Sequence, residues 1–329
     1  PTGIDHHGKN RTAVCCLSSL NLETWDEWKD DPQFIEDVML FLDNVLQDFI
    51  DRAPDDMARA KYAAARERSV GLGVMGFHSF LQARMIPFES VMAKVWNRKI
   101  FEYIRKQADA ASKHLAEVRG PCPDAEEYGF MERFSHKLAI APTASISIIT
   151  GNASPGIEPI SANVFLQKTL SGSFSVRNRH LKKILEERGQ DTDEVWSAIT
   201  LNKGSVQDLD FLTQDEKDVF KTAFELDQRW VVEHAADRAP FICQAQSVNL
   251  FLPADVHKRD LHQIHFQAWK KGLKSLYYCR SLSVQRADAV STLAVKSDIL
   301  EDEKYEATAQ AAPRGEMSSG DYEECLSCQ

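Results

Sequence analysis

Two local patterns in this chain bring together side chains that can move electrons. Cys325 and Cys328 form a Cys-x-x-Cys pair in the last residues of the sequence, and Tyr277 and Tyr278 are adjacent, just before Cys279. A structural zinc needs four ligands rather than two, so a thiol pair in a polar tail suits another task. Two close thiols on a tether can enter a buried site, exchange with a disulfide there and return to solvent for re-reduction. The plainer alternative is an incidental pair on a polar end. Tyrosine can lose an electron and a proton together, so neighbouring phenols can relay an oxidising equivalent; the plainer alternative is packing. Adjacent residues of a strand face opposite sides, so a stacked tyrosine pair requires a local break in the strand.

Three further motifs carry candidate chemistry. Pro142, Thr143, Ala144, Ser145, Ile146 and Ser147 follow an apolar segment and offer small hydroxyl side chains with backbone amides. Such a turn can cradle a phosphate, or it can be an ordinary Ser/Thr-rich loop. Residues 71–76 (GLGVMG) match Gly-x-Gly-x-x-Gly. Dinucleotide binding would require a strand immediately before them, and the preceding residues 63–69 read as a charged helix. Close backbone approach, at a turn into a helix beginning near Met75, is the preferred reading. His257, His262 and His265 share one helix, but no Asp or Glu completes a metal set, so an amphipathic helix accounts for them and no metal is assigned.

The elements that position these residues follow from periodicity. Apolar residues recur at helical spacing over 33–52 (Phe34, Val38, Phe41, Leu42, Val45, Leu46, Phe49) and over 94–118 (Trp96, Ile100, Tyr103, Ile104, Ala108, Ala111, Leu115). Gly120 and Pro121 end the second of these helices. A third is expected over 215–237, opened by the capping-box pattern of Thr213 and Glu216, and a fourth over 255–271. Short apolar segments at 12–17, 137–141, 145–149, 246–252 and 273–279 read as strands. Strands alternating with long helices predict an α/β fold with a mostly parallel sheet under helical cover. Beyond Arg286 the pattern decays, so residues 1–286 are expected to fold and 287–329 to form a flexible tail.

Composition narrows the function. With 329 residues, 43% of them hydrophobic, the chain can bury one large core or two ordinary ones. The net charge of -10 is mixed along the sequence, which argues against nucleic acid or a membrane surface as partner, since both require a basic stripe. No apolar run approaches the roughly 20 residues of a membrane span. Seven cysteines, an odd number at low density, do not read as a secreted disulfide framework. With no signal peptide, a reducing cytoplasmic location is expected. The opening at Pro1 rather than Met is expected to be a cut end.

Taken together, residues 13–22 (AVCCLSSLNL), 68–76 (RSVGLGVMG), 141–145 (APTAS) with 156–159 (GIEP), 246–250 (QSVNL), 276–278 (LYY) and the terminal thiol pair resemble the large, catalytic (alpha) subunit of class I ribonucleotide reductase. The tyrosine pair favours class I over the adenosylcobalamin-dependent class. The resemblance implies the second half of a ten-stranded α/β barrel: a five-stranded parallel half-barrel with helical cover, plus the flexible tail. It implies that Cys15 is an active-site thiol oxidised at each turnover, with Cys16 at a position that varies in the family. Pro142, Thr143, Ala144, Ser145, Ile146 and Ser147 would hold the substrate's phosphates. Tyr277 and Tyr278 would relay oxidising equivalents, and Cys325 and Cys328 would reduce the internal disulfide.

The implied partners are a ribonucleoside diphosphate, the small (beta) subunit, thioredoxin or glutaredoxin, and a second alpha subunit in a homodimer. No cofactor is expected on this chain. The metal-radical cofactor would belong to the small subunit, and ATP or deoxynucleotide effectors to an amino-terminal part upstream. The chain departs from the family in two places. Ile146 stands where many relatives have a hydroxyl residue, so one phosphate contact would be lost or would come from Ser147. The family's radical loop, Asn-x-Cys-x-Glu, is not in this sequence and is expected upstream.

Two other functions compete: a non-catalytic complementing half of a split reductase, and a thiol-disulfide oxidoreductase using the terminal pair. The second lacks a thioredoxin-like strand and helix around Cys325. In the completed enzyme, replacing Cys325 and Cys328 by Ser should abolish repeated turnover with thioredoxin while sparing one turnover by pre-reduced protein. Equal steady-state rates would remove the shuttle.

Overall fold

The structure, a computed structural model, describes residues 2–169 and 172–282. The expected tail at 287–329, with Cys325 and Cys328, lies outside the described residues.

The chain opens with a short antiparallel pairing of β1 (Gly3–Ile4) and β2 (Asn10–Arg11). Strand β3 (Leu17–Asn21) leads through α1 (Trp25–Trp28) into α2 (Phe34–Arg52) and α3 (Ala58–Glu67). Strand β4 (Gly71–Met75) is followed by α4 (Phe77–Ala83), the long α5 (Val91–Arg119) and α6 (Pro123–Glu127). An extended segment at 136–140 precedes the single helical turn α7 (Ile146–Ile149). The hairpin β5 (Val164–Thr169) and β6 (Gly172–Arg177) comes next. Then follow α8 (Arg179–Glu187), α9 (Asp193–Leu201), α10 (Gln214–Val219) and α11 (Gln228–Arg238). The described chain ends with β7 (Leu250–Pro253), α12 (Lys258–Lys270) and β8 (Cys279–Leu282).

Backbone hydrogen bonds join five extended segments side by side in sequence order, all parallel. β3 pairs with β4, Leu17 opposite Gly71. β4 meets the third segment at Leu72 opposite Leu138, and that segment meets the fourth at Ile140 opposite Gln246. β7 pairs with β8, Leu250 opposite Cys279. Parallel neighbours need long crossovers, and the helices supply them. The result is the α/β half-barrel architecture expected from sequence; among the described residues it stays open.

Several elements differ from expectation. The first strand begins at Leu17 rather than spanning 12–17, because nearby amides are used elsewhere: Thr12 N donates to Arg59 O and Ala13 N to Thr2 Oγ1. Residues 71–75 are themselves a fully buried strand, not a turn, and the following helix starts at Phe77. Their glycines do serve close approach. A Cβ at Gly73 would lie 2.4 Å from the Ala139 carbonyl oxygen, and one at Gly71 would lie 2.3 Å from Leu17 Cδ2. Residues 146–149 form a helical turn, not a strand, and the helix expected over 215–237 is two helices. The Thr213–Glu216 capping box opens α10, and Asp227 caps α11 by accepting from Arg229 N at 2.9 Å.

In α2 the buried stripe is Ile35, Met39, Leu42 and Leu46, while Phe41 and Val45 are exposed. Apolar residues cover more than one face of this helix, so periodicity alone does not choose the face that packs. α5 starts at Val91, capped by Ser90 Oγ accepting from Ala93 N at 3.1 Å, and stops at Gly120. The β5–β6 hairpin with α8–α10 builds a second, smaller core around Leu181, Leu185, Trp196, Ile199 and Phe220. That insertion was not read from the sequence.

A single buried carboxylate ties the helical layer to the sheet. Asp43 on α2 accepts from Arg68 Nη2 at 2.6 Å, Arg133 Nε at 3.0 Å and Arg119 Nη1 at 2.9 Å. These arginines sit just before β4, ahead of the third extended segment and at the end of α5. Burial alone would raise the Asp43 pKa, but the Arg133 hydrogen bond and the Arg68 charge outweigh it and hold it below the ordinary carboxylate value. The folded state therefore binds this proton less readily than the unfolded one. The stabilisation is present above the unfolded pKa and is lost as pH falls through the folded one. Asp43→Ala should cost about 3–5 kcal/mol at neutral pH, measured by urea unfolding. Its gap from wild type should narrow as pH drops below about 4.

Candidate active site

The hydroxyl-rich loop begins where the third extended segment ends. Thr143 adopts a left-handed backbone (φ 56°) and is buried. Its Oγ1 accepts from Gly156 N at 2.7 Å, clamping the loop to the turn at 155–158. Gly156 is also left-handed (φ 48°), and a Cβ there would come within 2.9 Å of the Ala141 carbonyl oxygen. Ser145 and Ile146 are exposed on the outer side of the loop. Ser147 is buried, and its hydroxyl donates to Ala144 O at 3.3 Å. Ser147 is thus turned into the loop.

The same turn carries Glu158, whose amide donates to Pro155 O. Its buried carboxyl accepts from Asn249 Nδ2 at 2.7 Å. Burial pushes the Glu158 pKa up, while the Arg280 charge and the Asn249 bond act the other way. Asn249 in turn accepts, through Oδ1, from Tyr278 N at 3.0 Å. Hydrogen bonds thus tie the loop to the 155–158 turn at Gly156, and the same turn, through Glu158 and Asn249, to the tyrosine pair.

Tyr277 and Tyr278 are 41% and 45% exposed, with ring centroids 4.2 Å apart and planes tilted by 56°. They sit just before β8, where the backbone is not regular strand, so the rings can lie together instead of on opposite faces. The Arg280 guanidinium lies 5.9 Å from the Tyr278 ring centre.

Cys15 and Cys16 differ sharply. Cys15 is exposed, whereas Cys16 is buried with its Sγ 3.7 Å from Leu42 O. Burial, then the neighbouring Cys15 and Asp43, pushes the Cys16 thiol pKa up. A thiol must ionise to react, so this shift disfavours reaction at Cys16. Cys15 precedes the amino end of β3, whereas the 142–147 loop follows the carboxyl end of the third segment. The structure thus gathers the loop and the tyrosines into one bonded network.

The histidines of α12 have local tasks: His257 Nδ1 accepts from Arg259 N at the helix start, and His265 Nδ1 is 2.8 Å from Leu261 O. His6, His7 and Glu127 bring ligand-capable atoms within 4.8 Å at the surface, but Arg66 already pairs with that carboxylate. No helix among the described residues is long and apolar enough to cross a membrane. Glu158, Asn249 and Arg280 had no role assigned from sequence. Two of them lie in the GIEP and QSVNL segments, but burial and amide orientation leave no mark in a single sequence.

The family model of the ribonucleotide reductase barrel domain matches residues 4–129 and 124–279. The chain belongs to this family, and its relatives place it as a region of the large subunit. It is 54% identical, over 86% of its length, to the ribonucleoside-diphosphate reductase large subunit of Invertebrate iridescent virus 6, and 47% identical over 88% to that of Invertebrate iridescent virus 3. Among solved structures it resembles the class Id ribonucleotide reductase alpha subunit of Actinobacillus ureae, with a TM-score of 0.76 and 40% identity over 84% of this chain. The chain spans 30% and 46% of the two viral subunits and 51% of that structure.

Thr143→Val keeps the side-chain volume but removes the acceptor for Gly156 N. It should destabilise the loop by about 1 kcal/mol and weaken nucleotide diphosphate binding to the whole subunit, measured by calorimetry. Unchanged affinity would separate this loop from phosphate recognition.

Proposed function

We propose that this chain supplies the phosphate-holding loop and the radical relay of a class I ribonucleoside-diphosphate reductase. The observation that carries the reading is the close tyrosine pair, bonded through Asn249 and Glu158 to the turn that clamps the hydroxyl-rich loop. Substrate phosphates lie on the loop formed by Pro142, Thr143, Ala144, Ser145, Ile146 and Ser147. Tyr277 and Tyr278 carry the oxidising equivalent from the small subunit, which holds the metal-radical cofactor, toward a cysteine in the remainder of the large subunit.

A thiyl radical there removes the ribose 3′ hydrogen, which eases departure of the 2′-hydroxyl. That hydroxyl leaves as water, and the 3′ hydrogen is returned at the end of the cycle. Cys15 and a second thiol together supply two electrons and two protons, becoming a disulfide as the ribonucleotide becomes a 2′-deoxyribonucleotide. Cys325 and Cys328, on a 287–329 tail attached to a 1–286 barrel region, reduce that disulfide and pass the oxidation to thioredoxin or glutaredoxin. Effector nucleotides act on another part of a dimeric large subunit, and the reaction runs in the cytoplasm.

Phenylalanine lacks the ionisable hydroxyl but keeps the ring. Tyr277→Phe or Tyr278→Phe in the whole subunit, assayed with the small subunit, should drop turnover to background while nucleotide affinity stays within about twofold. Normal turnover in both variants would reduce the pair to packing. The isolated chain should not reduce a ribonucleoside diphosphate, and turnover by it alone would contradict the reading.

A further inference from the structure

In a regular parallel strand, successive backbone N–H groups point to opposite edges. The tyrosine pair breaks this rule. Tyr277 N donates to Val248 O at 2.9 Å, and Tyr278 N donates to Asn249 Oδ1 at 3.0 Å. Two consecutive amides thus turn toward the same neighbouring segment, while Leu250 N donates to Tyr278 O at 2.9 Å. The backbone must be twisted out of the pleat to do this, and the twist lets adjacent rings approach to 4.2 Å.

This extra amide is received not by a backbone carbonyl but by the Asn249 side chain. A side-chain amide can present either its oxygen or its nitrogen, and its orientation is set by what the two ends meet. At the far end of Asn249 stands Glu158 Oε1, 2.7 Å from Nδ2. A carboxyl oxygen there makes the nitrogen face Glu158 and leaves the oxygen for Tyr278. Both side chains are nearly fully buried, so either one left unpaired would carry the desolvation cost of a buried polar group.

We infer that Glu158 and Asn249 are positioning residues for the tyrosine relay: Glu158 fixes the orientation of the Asn249 amide, and Asn249 holds the twisted backbone that makes Tyr277 and Tyr278 neighbours. The inference rests on reading the pair as a relay. Glu158 acts here as an acceptor, a task that does not need its charge. Because its turn is also bonded to Thr143, the relay geometry is fastened to the same point as the hydroxyl-rich loop.

The test uses the whole large subunit with its small subunit. Glu158→Ala should lower kcat by roughly a hundredfold, the scale of an angstrom-level misplacement, with KM for the nucleotide unchanged. Hydrogen exchange at the Tyr278 amide should quicken. Glu158→Gln keeps an acceptor oxygen and should restore most of the turnover.

Asn249→Asp keeps the acceptor for Tyr278 but loses the donor to Glu158, and should fall like Glu158→Ala. Combining it with Glu158→Gln swaps donor and acceptor across the pair and should recover activity, which keeps the test intact should the alanine variant fold poorly. Wild-type kcat in Glu158→Ala, or no recovery in the double variant, would overturn the proposal. Tyr278→Phe distinguishes the two layers: if it stays active the relay reading itself fails, and if it is inactive while Glu158→Ala is normal only the positioning role fails.

Discussion

A parallel sheet has one strict requirement: each strand must present its amides alternately to its two neighbours, at a spacing that leaves little room between them. This requirement organises the protein. β4, buried on both faces as the second segment of the array, meets it by giving up side chains at Gly71 and Gly73, where a Cβ would strike Leu17 and the Ala139 carbonyl. Long helices must then cross between neighbouring strands, and α2 and α5 both set buried apolar residues into the main core. Asp43 anchors that cover by holding three arginines from different parts of the chain around one buried carboxylate.

The candidate site lies where the requirement is relaxed. The hydroxyl-rich loop starts at the carboxyl end of the third extended segment, where the ladder stops and backbone amides turn to other tasks. The tyrosine pair sits at the entrance to β8, where a side-chain amide replaces a ladder bond. Between them the 155–158 turn bridges both. The candidate site is therefore placed by departures from regularity.

Much of this was legible in the sequence, for physical reasons that differ from element to element. Long helices with apolar residues at helical spacing were read within a few residues of their ends, and the Thr213–Glu216 box marked the start of α10. The parallel α/β architecture followed from strands alternating with helices. Residues 71–75 were misread because glycines usually signal turns; here they are needed by a neighbouring strand that no local pattern reveals. Residues 145–149 alternate like a strand, yet Ile146, Ile148 and Ile149 are exposed on a helical turn, a placement set by the loop's tertiary clamp. The β5–β6 hairpin lacks an Asn-Gly or Asp-Gly turn signature and went unseen. The tyrosine pair was legible together with its condition, a broken strand; the residues that maintain the break were not. Glu158 and Asn249 are 91 residues apart in sequence, and only the fold brings them together.

The central claim is that the two neighbouring phenols carry a radical toward the substrate. The most direct measurement is electron paramagnetic resonance of the whole large subunit bearing a more easily oxidised tyrosine analogue at position 278, mixed with its small subunit and nucleotide. The account predicts a new radical on that side chain, appearing only when the small subunit and substrate are both present. Complete assembly with bound substrate, and no radical at that position, would contradict it.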